Sequence, residues 1–302
     1  MSTAKTQVNQ KILNDFLKSR KIDVTTLKPI TGGELSQAYI FSDNSENKIL
    51  RINKNDEGFL KDKYAAEHFS SEIIPIPKIE DIGKLSNDMY FAISTQALGK
   101  PLDQFSKQEI ASMMKSIVTV ANAIHKTKLQ NNGYGWWRTD GTGKCDSWQE
   151  ALDEMQVAED DYKLKDVHFF DMDFYNNLTA KIKSYYQYCP EERYLVHQDY
   201  GFGNVIANGN RITGVIDWHG SLYGDFLWDV AWLEFWDKSK GYKQAFKDYY
   251  LQNGGLPNHF DERIKCYKLI TGANSMAFFA KSNQPEKFKF AMGELESILN
   301  QE

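Results

Sequence analysis

Along residues 6–20, Val8, Ile12, Leu13, Phe16 and Leu17 recur at the three- and four-residue intervals of one helical face. Beyond them the apolar period shortens. Runs at 27–30, 38–42, 48–53, 78–83 and 89–97 are short, rich in Ile, Phe and Tyr, and divided by turn-forming segments such as 43–47. Such spacing predicts strands joined by hairpin-like connections. One stretch, 57–72, returns to a helical period. The first hundred residues therefore predict a five-stranded antiparallel sheet carrying one helix.

Gly99-Lys100-Pro101 interrupts this pattern and marks a linker, dividing the chain into domains 1–98 and 99–302. A long helix is predicted over 106–126, opened by Ser106 with Glu109 three residues on, the spacing of a capping box. Its Ile110, Met113, Met114, Ile117, Val120, Ala121 and Ile124 form one core stripe. Residues 131–147, rich in Gly, Trp and Asp, predict a substantial loop. Helical periods resume at 148–160 and 171–189. A block at 194–218 consists of short apolar runs split by polar turns. Residues 226–302 are helical again, broken by Gly254-Gly255-Leu256-Pro257. The expected class is α+β, a small sheet domain followed by a larger, mainly helical one.

Charge sharpens this division. Residues 1–100 carry 14 basic and 13 acidic side chains, the remainder 22 and 28, so the acidity lies in the C-terminal two thirds. A nucleic-acid binder shows the opposite bias; an acidic second domain favours a cationic ligand. Cys145, Cys189 and Cys266 are odd in number and far apart, which suits neither a disulfide framework nor a zinc site. No apolar run reaches the ~18 residues of a membrane helix. A cytoplasmic monomer is expected, with no membrane or nucleic-acid partner.

The strongest chemical signal is Leu195-Val196-His197-Gln198-Asp199-Tyr200-Gly201-Phe202-Gly203-Asn204-Val205-Ile206, with Asp217 at the end of the run Ile212-Thr213-Gly214-Val215-Ile216. Phosphoryl transfer to an alcohol needs one carboxylate to orient the hydroxyl and accept its proton. It also needs oxygen ligands that hold magnesium against the phosphates. Asp199 is the candidate base; Asn204 and Asp217 are hard oxygen ligands of the kind magnesium prefers. The competing reading, a surface hairpin with incidental polar residues, does not account for three such residues at these intervals.

His-x-Asp-x-x-x-x-Asn followed by Ile-Asp-Trp resembles the aminoglycoside phosphotransferase family, bacterial relatives of protein kinases. Residues 49–53 (IleLeuArgIleAsn), 58–64, 74–77 and 81–83 are similar to its hygromycin-type members, as are 195–200, 211–218 and GluPheTrp at 234–236. The similarity runs through both domains, from about residue 30 to about residue 240. It implies a protein-kinase-like, two-lobed fold, ATP (GTP not excluded) and Mg²⁺ as cofactors, and transfer to a hydroxyl of a cationic aminocyclitol such as hygromycin B. The base then maps to Asp199 and the metal ligands to Asn204 and Asp217.

The resemblance also assigns the nucleotide side. Gly32, Gly33 and Ser36 lie in the turn before the second strand, where glycines let backbone N–H groups approach phosphate. Arg51 stands where most kinases carry a lysine, offering a fixed fork of donors. Asp62 and Glu67 both qualify as its ion-pair partner. Gln96 and Ala97 would sit at the adenine-binding hinge. For the acceptor, Asp199, Asp140, Glu234 and Trp236 supply carboxylates and an aromatic face suited to ammonium groups and sugar rings. His197 is expected to orient the catalytic loop, and Asp225 and Asp229 to brace it. Two alternatives remain open: a kinase of choline, homoserine, a sugar or a macrolide on the same fold, or a nucleotide-binding pseudokinase.

Overall fold

The computed structural model describes residues 6–30, 36–156 and 164–301. Its first sheet comprises β1 (Lys28–Ile30), β2 (Gln37–Asp43), β3 (Glu46–Asn53), β4 (Ile79–Ser86) and β5 (Met89–Thr95), in the order β1-β2-β3-β5-β4. Every pairing is antiparallel, as the strand pattern predicts. Alternation decides which face each residue serves. Tyr39 and Phe41 on β2, Leu50 and Ile52 on β3, and Phe91 on β5 bury against helix α1 (Gln10–Ser19) through Leu13, Phe16 and Leu17. Asn9 caps α1 by accepting from the Lys11 N–H. The sheet thus carries α1, from the helical period at 6–20, as well as α2 (Glu57–His68), from that at 57–72.

The chain forms two compact units. The first contains Met1–Ala123, Thr139–Gly141 and Gly201–Gly220. Strand Val205–Asn208 pairs with both Lys100–Pro101 and Arg211–Val215, and this ladder keeps the later segment with the earlier one. Helix α3 (Lys107–His125) begins with the expected capping box: Ser106 N–H donates to Glu109, and Glu109 N–H donates to Ser106 Oγ. Its predicted stripe is buried from Ile110 to Ile124 apart from the half-buried Met114.

The second unit contains Ile124–Arg138, Thr142–Tyr200 and Ser221–Glu302. Residues 131–147, expected to be a loop, instead supply strands Tyr134–Trp137 and Gly143–Cys145. Their partner is distant in sequence: Leu222–Gly224 pairs with Tyr134–Trp137 on one side and Tyr194–Val196 on the other. Gly224 is required there, because a Cβ would lie 2.2 Å from the Trp148 ring. Among the described residues six α-helices complete the unit: α4 (Trp148–Met155), α5 (Met172–Ser184), α6 (Leu227–Asp237), α7 (Tyr242–Gln252), α8 (Phe260–Lys281) and α9 (Pro285–Leu299). The last four fill the predicted 226–302 region, with the 254–257 break between α7 and α8. Helix α8 is buried around most of its circumference and forms the unit's central support. Among the described residues no helix is long and apolar enough to cross a membrane.

Candidate active site

In the first unit the site is built from both faces of one ion pair. Leu50 and Ile52 point into the α1 core, so Arg51 between them must project from the opposite face of β3. There it donates to Asp62 of α2, and its guanidinium lies 5.2 Å from the Phe59 ring centroid. Asp62, rather than Glu67, is therefore the partner; Glu67 pairs loosely with Lys63. Burial works against the Arg51 charge, but Asp62 and the charge of Asp217 outweigh it and hold the group above its ordinary range. The other Asp62 oxygen accepts the Trp218 N–H at 2.7 Å. One buried carboxylate thus links the Arg51 strand to the residue following Asp217. A second buried residue of α2, Lys61, donates to the His219 carbonyl.

The thirteen-residue interval between Asn204 and Asp217 follows from hairpin register. Val205 pairs with Val215, and the ladder is closed by Ile216 N–H donating to the Asn204 carbonyl at 2.9 Å. Asn204 and Asp217 therefore sit at the two ends of the open side of one hairpin. Asn204 N–H is itself turned back onto the Gly201 carbonyl at 2.8 Å. Asp217 is exposed and left-handed, with φ 64°. A non-glycine residue held there stores on the order of 1–3 kcal/mol, the kind of strain that clusters at functional sites. The donor set, an amide oxygen and a carboxylate, fits magnesium, which is held by one or two protein carboxylates plus substrate phosphates rather than by an all-protein cage.

Of the other nucleotide-side residues, Gly32 and Gly33 lie outside the described residues. Ser36 is anchored at their edge, its Oγ accepting from Asn53 Nδ2 at 3.2 Å. β5 ends at Thr95, so Gln96 and Ala97 continue beyond the ladder. Gly214 lets this segment approach the hairpin: a Cβ there would come within 2.4 Å of the Ala97 Cβ. Thr213 Oγ1 also donates to the Leu98 carbonyl.

The second unit holds the candidate base. Strand Tyr194–Val196 runs directly into His197, Gln198 and Asp199. Asp229 on α6, fully buried, accepts the N–H groups of His197 at 3.1 Å and Gln198 at 2.9 Å, and its Oδ2 lies 2.9 Å from His125 Nε2. Gln198 is left-handed, φ 71°, and its side-chain oxygen accepts the Trp136 indole N–H at 2.9 Å. His197 is fully buried, with its ring edge-on to Tyr200. The half-buried Asp199 follows this fixed pair of residues. Asp225 braces the base of α6: it accepts from Arg263 Nε at 2.7 Å, Arg263 Nη2 at 2.5 Å, Tyr267 Oη at 2.6 Å and Leu227 N at 3.0 Å.

The expected acceptor residues are not equivalent. Asp140 lies exposed on the turn between strands Tyr134–Trp137 and Gly143–Cys145. Glu234 is half-buried on α6; burial raises its carboxyl, opposed by Lys268, by the Lys243 N–H and by Lys243 and Lys238. The Trp236 ring is committed to packing. It stacks on Phe290 at 5.8 Å and meets Phe235, Phe279 and Trp232 edge-on.

Residues 26–262 match the family model described as the phosphotransferase enzyme family. The chain belongs to this family. It is 30% identical over 229 residues to hygromycin-B 4-O-kinase of Escherichia coli. That match spans 73% of this chain and 65% of the relative, less than two thirds of the relative's length. Among solved structures, a thermostable mutant of aminoglycoside phosphotransferase APH(4)-Ia, in ternary complex with AMP-PNP and hygromycin B, is 27% identical with a TM-score of 0.84. The alignment covers 95% of this chain and 97% of that one. A GDP complex of an aminoglycoside 2'-phosphotransferase-IIIa mutant shares the fold with a TM-score of 0.71 at 14% identity, over 97% of this chain and 98% of that one.

Proposed function

We propose that this phosphotransferase is an ATP-dependent small-molecule kinase that inactivates an aminocyclitol antibiotic, with hygromycin B as acceptor. The observation that carries the reading is the loop from His197 to Asn204. Asp229 pins it immediately before Asp199, and it runs on into the hairpin that bears Asn204 and Asp217. The likeness to a kinase solved with AMP-PNP and hygromycin B supports the same acceptor.

Asp199 orients the acceptor hydroxyl and accepts its proton as the oxygen attacks the γ-phosphorus; the bond to the β-phosphate breaks, and the nucleoside diphosphate leaves. Arg51, held charged by Asp62, donates to the phosphates. Asn204 and Asp217 would hold Mg²⁺, which supplies positive charge against the transferring phosphoryl group when bound. Gly32, Gly33 and Ser36 form the proposed phosphate turn, and Gln96 and Ala97 the base-binding hinge. On the acceptor side, Asp140 offers an exposed carboxylate, Glu234 a half-buried one whose charge three lysines favour against burial, and Trp236 supports the wall through its aromatic cluster. The functional lobes are proposed to divide at 98/99, and the protein to act as a cytoplasmic monomer without nucleic-acid or membrane partners.

The test is a panel of hygromycin B, other aminoglycosides, choline and homoserine, incubated with ATP or GTP and Mg²⁺ and read by mass spectrometry for a phosphate adduct. Phosphorylation of hygromycin B is expected. An adduct on choline or homoserine alone would keep the kinase and remove the antibiotic; no adduct together with saturable nucleotide binding would favour a pseudokinase.

A further inference from the structure

The bond between Trp136 and Gln198 is not needed to hold either strand. Trp136 already pairs with Leu222, which pairs in turn with Val196, so the three residues form one row across the sheet. Leu222 and Val196 are fully buried and fix that row by packing. Past Val196 the chain leaves the sheet, and Gln198 takes a left-handed conformation, uncommon outside glycine, that a contact can hold. Two things do. Asp229 accepts its N–H at 2.9 Å from one side, and the Trp136 indole N–H donates to its Oε1 at 2.9 Å from the other. The next residue is Asp199.

We infer that Trp136 is a positioning residue: its indole N–H, acting through Gln198, sets the backbone direction from which Asp199 presents its carboxylate. The inference rests on the kinase reading for its catalytic consequence, though not for the clamp itself. Indole is suited to this role. It donates one hydrogen bond and accepts none, so it can bind Gln198 only through the amide oxygen, which fixes the side-chain rotamer as well as its position. The Asp229 carboxylate defines where the Gln198 backbone starts, and Trp136 defines how the residue is rotated. Neither group touches a reacting atom, so removing the indole bond should change the rate of transfer more than the binding of nucleotide. A displacement of about 1 Å at a reacting group can cost on the order of a hundredfold in rate.

The test is a double-mutant cycle with Trp136→Phe, which keeps an aromatic ring and removes the donor, and Gln198→Leu, which removes the acceptor. Each variant is compared with the full-length wild type for kcat and for nucleotide KM with hygromycin B as acceptor. Amide hydrogen exchange is followed in the peptide covering 194–200. Each single variant should lower kcat about 10- to 100-fold with nucleotide KM unchanged. The double variant should be no slower than the worse single, because both remove one bond. Exchange at 194–200 should rise while exchange across 222–224 stays at the wild-type level. Additive losses, unchanged exchange, or a rise in nucleotide KM matching the loss in kcat would each overturn the inference. Gln198→Leu probes the same bond from the other side should Trp136→Phe fail to fold. A wild type that phosphorylates no acceptor, while exchange still responds to both variants, would support the clamp and overturn the kinase reading.

Discussion

Arg51 and Asp62 form an ion pair in which the carboxylate is also the hydrogen-bond acceptor for the backbone after Asp217. Asp62 is nearly buried, whereas the Arg51 side chain is 21% exposed. Asp62→Ala therefore strands a cation and the Trp218 N–H together. Breaking a buried pair from one side costs ~3–5 kcal/mol, and the partial exposure of Arg51 should place the loss at the lower end, near ~3 kcal/mol. Urea unfolding should show it as a lower midpoint with an unchanged slope. Nucleotide affinity should fall as well, because Arg51 loses the group that orients it. A variant with the wild-type midpoint would show that Asp62 serves only the nucleotide.

Asp199→Ala should leave nucleotide affinity nearly intact while lowering turnover by ~10²–10⁴, the range for a positioned base. Asp229 on α6 holds the two N–H groups that precede Asp199. Equilibrium nucleotide binding and single-turnover transfer separate the two effects. Transfer within a few-fold of wild type would remove Asp199 from the base role.

Asp217→Ala should act through the metal. The residue is exposed, and its backbone neighbours are fixed by the Ile216–Asn204 and Trp218–Asp62 hydrogen bonds, so losing its side chain leaves the hairpin closed. The variant should lose more nucleotide affinity in the presence of Mg²⁺ than in its absence. Equal loss in both conditions would mark Asp217 as a structural residue, as would a fall in thermal stability without nucleotide.

How far the sequence discloses this architecture depends on the range of each interaction. Asn204, Asp217 and Arg51 are legible because local register places them: a closed hairpin fixes the first two, and strand alternation fixes the third. Asp229 is recognisable as a brace, but its partners at His197 and Gln198 are long-range and leave no periodic trace. The strands within 131–147 are hidden for the same reason. Their partner is Leu222–Gly224, and the run Tyr134-Gly135-Trp136-Trp137 does not alternate apolar with polar. Trp136 stands in the sequence only as one residue of a Trp-rich stretch, and nothing there tells that its indole N–H serves Gln198. Trp236 shows the opposite limit. Its sequence neighbours suggest an acceptor wall, and nothing in them tells that Phe279 from α8 and Phe290 from α9 pack on its ring.

Glu234 offers a test of electrostatics that needs no substrate. Burial raises its carboxyl above the ordinary value of 4.5, against the pull of Lys268, the Lys243 N–H, Lys243 and Lys238. A carboxyl raised in the folded state binds protons more tightly there than in the unfolded chain. Between its unfolded and folded values the native state therefore holds more protons, and stability must fall as pH rises through that window. The window opens near 4.5 and extends upward. Lys268 is shifted the other way: burial lowers it from 10.5, so its contribution makes stability rise with pH on the alkaline side and does not obscure the acid limb. Glu234→Gln removes the titrating group while keeping its shape. Melting temperatures measured from about pH 4 to about pH 8 should show the variant gaining on the wild type as pH rises above the unfolded carboxyl value, with the difference levelling once Glu234 is fully ionised. A difference constant across that range would mean that the lysines offset the burial completely, and that the carboxyl titrates alike in the folded and unfolded chains.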